Sequence, residues 1–150
     1  MNAYQQTNRQ GSAQGGYDRP QAPNLAALIR DNGFKHEKTL AAVDDFAAAE
    51  FNVGREGQKI RNQLRKLYNQ VRAAEAKIGN DEQALKFQVR LLQAQFKYNV
   101  SRKAVNAFKP DFVKAFEAST ARIRTVEDYR DFVDFFEVLY AYGYSASAGK

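Results

Sequence analysis

From Leu25 to the C-terminal end of the chain, large apolar side chains recur at spacings of three and four. No stretch alternates apolar and polar residues strictly enough to make a strand. That single period restricts the chain to helices, each with one face to bury. Leu25, Leu28 and Ile29 open a first helix behind Asn24, a side chain suited to capping, and Gly33 stops it. A second helix is predicted over 37–51, where Leu40, Val43, Phe46, Ala47 and Glu50 share a face and Asn52 and Gly54 end the run. A third, over 57–78, carries Ile60, Leu64, Leu67, Val71, Ala74 and Ile78 on one stripe, with Gly79 as its stop.

The fourth helix is predicted to start near Asn80, with that side chain as its cap, and to run past Phe96 until shortly before Pro110. It bears two apolar stripes, Leu85, Val89, Leu92, Phe96, Val100 and Phe87, Leu91, Ala94, Tyr98, so it should be covered on two sides. Asp111, Phe112, Val113 and Phe116 form a short fifth segment. In the last helix Thr125 caps with Asp128 three residues on, ahead of Val126, Tyr129, Phe132, Val133, Phe136, Leu139 and Tyr140. The expectation is an all-α compact bundle of about five to six helices over residues 25–150. Residues 1–24 are rich in Gln, Asn, Gly and Ser, with only Tyr4 and Tyr17 as large apolar side chains. They cannot offset the entropy of ordering and are expected to form a disordered tail.

Composition narrows the chemistry. With no Cys and one His among 150 residues, there is no disulfide framework, no thiol nucleophile and no Cys or His cluster for a metal. The same lack of Cys suits a reducing cytoplasm. No apolar run nears the roughly 20 residues of a membrane span, and the N-terminus lacks the apolar core of a signal peptide. No membrane association is expected. His36, beside Glu37, reads as a surface or capping residue, and the adjacent Asp44 and Asp45 point in different directions on their helix. The glycines include no phosphate loop, and no base is placed to activate a Ser or Thr. The chain therefore reads as a binder with no catalytic residue, no metal and no cofactor.

The net charge of +6 is unevenly divided: +1 over 1–24, −2 over 25–54, +8 over 55–103 and −1 over the rest. An excess held in one central stretch points to a polyanion docking on one part of the fold. In the third helix Arg61, Arg65, Tyr68 and Arg72 follow one another at spacings of four, three and four, a ribbon beside the core stripe. Eleven residues span roughly 16 Å, about three phosphates of a single strand. Lys86, Arg90, Gln93 and Lys97 repeat the pattern in the fourth helix, and Arg102 and Lys103 follow near its end. On antiparallel neighbours the two ribbons would make one basic face. Ordinary solvated helix faces are the alternative, although a solubility face normally mixes signs. The aromatic last helix, with Phe135, Tyr142 and Tyr144 in addition to those above, lies among Glu127, Asp128, Asp131, Asp134 and Glu137. Those carboxylates would repel a phosphate backbone, so its rings are read as core and protein interface.

Three blocks in order carry a family resemblance: Gln58 to Tyr68 (QKIRNQLRKLY), Leu92 to Arg102 (LQAQFKYNVSR) and Tyr129 to Tyr142 (YRDFVDFFEVLYAY). Over roughly residues 54–145 the chain resembles the small subunit of type III-A (Csm) CRISPR effector complexes. The resemblance implies a helical bundle without a catalytic site, stacked in several copies along a complex whose backbone and large subunits carry the activities. Its partners would be the guide RNA paired with target RNA, those backbone and large subunits, and other copies of itself, in antiviral defence. By position, the resemblance gives Lys59, Arg61 and Arg102 as RNA contacts. Ser101 replaces the family's usual Gly, and Gln93 and Gln95 stand where members often have Lys, which makes Arg90 and Lys97 the substitutes. The full set of expected RNA-binding residues is Lys59, Arg61, Arg65, Arg72, Lys86, Arg90, Lys97, Arg102 and Lys103. Two other functions fit the residues: an architectural protein that binds DNA with the same face, and an adaptor that binds only protein.

Overall fold

The computed structural model describes residues 22–148. The tail expected over 1–24 lies outside the described residues up to residue 21; Ala22 already packs against the core. The elements are α1 (Leu25–Asn32), α2 (Glu37–Phe51), a 3-10 turn (Gly54–Glu56), α3 (Gly57–Ile78), α4 (Glu82–Ser101), α5 (Pro110–Arg122) and α6 (Val126–Ser147). Among the described residues there is no strand, and the fold is all-α as the period requires.

The aromatic helix α6 is the centre of the bundle and packs most closely on α3 and α2; α1 lies on α5, and α4 on α3. Its Tyr129, Phe132, Phe135 and Phe136 are fully buried, as the reading of that helix as core requires. The stripe on α3 meets it, and the Tyr129 hydroxyl donates to the Val71 carbonyl at 2.8 Å. Burial in this apolar setting drives the Tyr129 pKa far above the usual phenol value. Close approach at the far end depends on two glycines. A Cβ on Gly143 would lie 3.0 Å from the Phe51 ring, and one on Gly57 would meet the Ser147 carbonyl oxygen at 2.2 Å.

Four expectations are corrected. Asp81 caps α4 in place of Asn80, accepting from Gln83 N at 2.9 Å and Ala84 N at 3.3 Å, while the Asn80 side chain receives Arg130. Helix α4 stops at Ser101, well short of Pro110, because Gln63 of α3 captures the chain beyond it: its side chain donates to the Val105 carbonyl and accepts from Ala107 N. The fifth segment is a full helix to Arg122. Its buried Ser119 and Thr120 satisfy their hydroxyls on the Ala115 and Glu117 carbonyls of the same helix.

The fourth correction concerns coverage. Leu85, Val89, Leu92 and Phe96 are buried, whereas Phe87 is 64% exposed and Tyr98 62% exposed. Only one of the two stripes on α4 is covered by the bundle, so the second faces outward.

One buried charge stands apart from this scheme. Glu50 on α2 is 5% exposed and its carboxylate accepts from Phe112 N at 3.1 Å, in the first turn of α5. Lys109, the residue at that helix's own cap position, provides no side-chain hydrogen bond, so Glu50 supplies a cap from another helix. Desolvation pushes its carboxyl pKa up from the ordinary value.

Candidate nucleic-acid interface

The nine basic residues selected from sequence fall into three groups. Arg61, Arg65 and Arg72 lie along one flank of α3, and the first two reach the end of α6. Arg61 donates to the Ser147 carbonyl at 2.7 Å and to Gln58 Oε1 at 2.8 Å, so a cation closes the C-terminus of α6, where carbonyls lack partners. Arg65 reaches the Tyr144 hydroxyl at 3.2 Å and lies 5.7 Å from that ring's centre. Arg72 bonds the Tyr68 hydroxyl at 3.0 Å and pairs with Glu75 at 3.1 Å. Tyr68 in turn stacks on Tyr140 of α6, centroids 4.6 Å apart and planes within 3°. All three guanidiniums have protein partners.

The second group surrounds the connection over residues 102–109. Lys59 is half-buried and donates to the Ala104 carbonyl at 3.5 Å. Arg102 lines a cavity of about 240 Å³ with Gln63, Lys66, Gln70 and Asn99, and its guanidinium lies 5.5 Å from the Tyr98 ring centre. Lys103 is exposed on the same connection.

The third group lies on the other side of α4. Lys86 and Arg90 line a cleft of about 430 Å³ with Gln93, Thr120 and Arg124, and the Gln93 side chain donates to the Thr120 hydroxyl at 3.2 Å. Lys97 is exposed and lies one turn beyond Gln93 on the same row. A second cleft, about 650 Å³, shares Ala121 and Arg124 with the first and adds Arg30, Lys114 and Arg122. The two form a continuous groove over the end of α5, with basic residues from α1, α4, α5 and the connection to α6. Arg122 is itself tied to the Ile29 and Arg30 carbonyls at 3.2 and 2.9 Å. Among the described residues, Lys86, Arg90, Lys97, Arg30, Lys114 and Arg124 make no side-chain hydrogen bond or ion pair. Glu117 is the carboxylate on the groove's wall.

The two ribbons thus do not merge into one face. The α3 ribbon leans on α6 and the α4 ribbon on α5, because the helices meet through other sides: Gln70, Ala73 and Lys77 of α3 opposite Gln88, Leu91 and Gln95 of α4. Sequence reasoning missed Arg30, Lys114 and Arg124. They sit in segments of net negative charge, and only the docking of α1 on α5 gathers them.

Among the described residues no group of three or more His, Asp or Glu could hold a metal ion, and no helix is long and apolar enough to cross a membrane. The family model described as Csm2 Type III-A matches residues 38–148, from α2 to the last turn of α6. Comparisons with curated proteins and with solved structures give no match.

Proposed function

The chain belongs to the Csm2 family of type III-A CRISPR effector small subunits, and from that membership we propose that it is a non-catalytic subunit that contacts RNA through its phosphates. In this reading it acts in the cytoplasm, in antiviral defence, stacked in several copies along the guide RNA paired with target RNA and beside the backbone and large subunits. The carrying observation is the groove lined by Lys86, Arg90 and Arg124 and continued by Arg30 and Lys114. Cations without protein partners, gathered from several elements, suit a polyanion whose charges are spaced along a line. Lys97, Lys59, Arg102 and Lys103 extend the contact around α4. Arg61 and Arg65 serve first to hold α6 and Arg72 bonds Tyr68 and Glu75 of its own helix, so all three reach RNA only with the part of their donors left over.

Lys and Arg on phosphates carry no base code, so binding is insensitive to sequence. With about three phosphates neutralised per copy, single-strand affinity falls with a log-log salt slope of roughly −2. Replacing Lys86, Arg90 and Arg124 by Ala in the full chain should flatten that slope by about one unit or more. An unchanged slope and affinity would move the function to protein contacts alone.

A further inference from the structure

The outward stripe of α4 touches the bundle only at the half-buried Leu91, beside α3. Phe87, Leu91, Ala94 and Tyr98 follow at spacings of four, three and four, so they form one row about 16 Å long. The large rings at its two ends are 64% and 62% exposed, the most exposed large apolar side chains among the described residues. Exposed rings at a regular spacing mark a contact surface, and the neighbouring charges identify its partner. Arg90 lies three residues after Phe87, Lys97 three after Ala94, and Arg102 four after Tyr98, so each flanks the row. From Gln83 to Lys109 the chain has six basic residues and no Asp or Glu. A second copy meeting this row with its own would bring those cations together. The first half of α6 differs in that respect, since its outer side carries Glu127, Asp131, Asp134 and Glu137.

We propose that Phe87 and Tyr98 are stacking platforms for unpaired bases of a single RNA strand whose phosphates run along Arg90, Lys97 and Arg102. Aromatic faces accept every base, and flanking cations hold the backbone, the combination used by surfaces that bind single strands without reading sequence. Arg102, already 5.5 Å from the Tyr98 ring centre, stands where it can reach a phosphate beside a base on that ring. The proposal rests on the phosphate-contact reading above and adds the base as a second determinant.

The test compares the full chain, at low salt, on a uridine homopolymer and on an abasic strand of equal length and charge. The wild type should bind the ordinary strand about 5-fold to 100-fold more tightly per ring engaged. F87A and Y98A should each remove part of that preference while leaving abasic affinity unchanged. Equal affinity of the wild type for both strands would overturn stacking and leave the phosphate reading standing. No binding to either strand would overturn both. Unchanged strand preference in F87A and Y98A, with a smaller oligomer in solution, would assign the row to contacts between copies and overturn the proposal.

Discussion

The flank of α3 and the groove beside α4 begin from the same pattern, basic residues at spacings of three and four next to a core stripe, and end in different states. On α3, Arg61 closes the C-terminus of α6 while Arg65 and Arg72 lie on tyrosines. On α4, Lys86 and Arg90 look into an open cleft. What separates them is the neighbour. The tail of α6 brings carbonyls and a phenol ring to one ribbon, whereas α5 and the connection after it bring Thr120, Ala121 and Arg124 to the other. A basic ribbon is therefore tied into the fold where a helix end meets it and left without protein partners where another cation does.

Removing the aromatic layer under the α3 flank should have the largest effect. Phe136 is fully buried beneath Tyr68, and Phe136→Ala should cost about 3 to 5 kcal/mol of unfolding free energy in denaturant titrations. A loss below about 1 kcal/mol would mean that α6 is not the centre of the bundle. Next in size, Arg61→Ala leaves the Ser147 carbonyl without its cation and should cost about 1 to 2 kcal/mol, reduced from the full value because the group is half-exposed. Arg90→Ala sharpens the contrast from the other side: with no partner to lose, its unfolding free energy should match the wild type within about 0.5 kcal/mol. Equal losses in the two arginine variants would erase the distinction between the regions.

The smallest effect concerns Glu50, which anchors α5, the far wall of the groove. Its carboxyl pKa is raised in the folded state, so the folded chain holds the proton more tightly than the unfolded one. The associated stability is complete below the unfolded carboxyl's range and is lost as pH rises through the folded value. Glu50→Gln retains an oxygen for Phe112 N without the charge. Thermal melts should therefore show the variant gaining on the wild type toward neutral pH and converging with it in acid. A variant less stable than wild type at neutral pH would show that the ionised carboxylate is the favoured form.

The helices were legible because each long stripe ends in a residue that forbids continuation. The bounds of α2 and α3 follow from Leu40 to Glu50 before Asn52 and from Ile60 to Ile78 before Gly79. Where a side chain from another helix decides, the local pattern is insufficient: Gln63 ends α4 early, and in-helix hydroxyl bonds carry α5 through Ser119 and Thr120. The site was half legible. Lys86, Arg90 and Lys97 announce themselves by spacing, but Arg30, Lys114 and Arg124 have no shared period and no local charge excess. The exposed stripe was visible as a second apolar row, yet its being uncovered depends on how α4 is seated against α3 and α5.

Target-RNA retention over a range of salt, by type III-A complexes rebuilt with either of two triple variants, tests the central claim most directly. With Lys86, Arg90 and Arg124 replaced by Ala, the subunit should enter the complex at wild-type stoichiometry and the complex should release target RNA at lower salt. With Arg61, Arg65 and Arg72 replaced, the isolated subunit should melt earlier, while complexes that do assemble should hold RNA nearly as the wild type does. The opposite pattern, RNA lost with the α3 arginines and kept without the groove, would contradict the account.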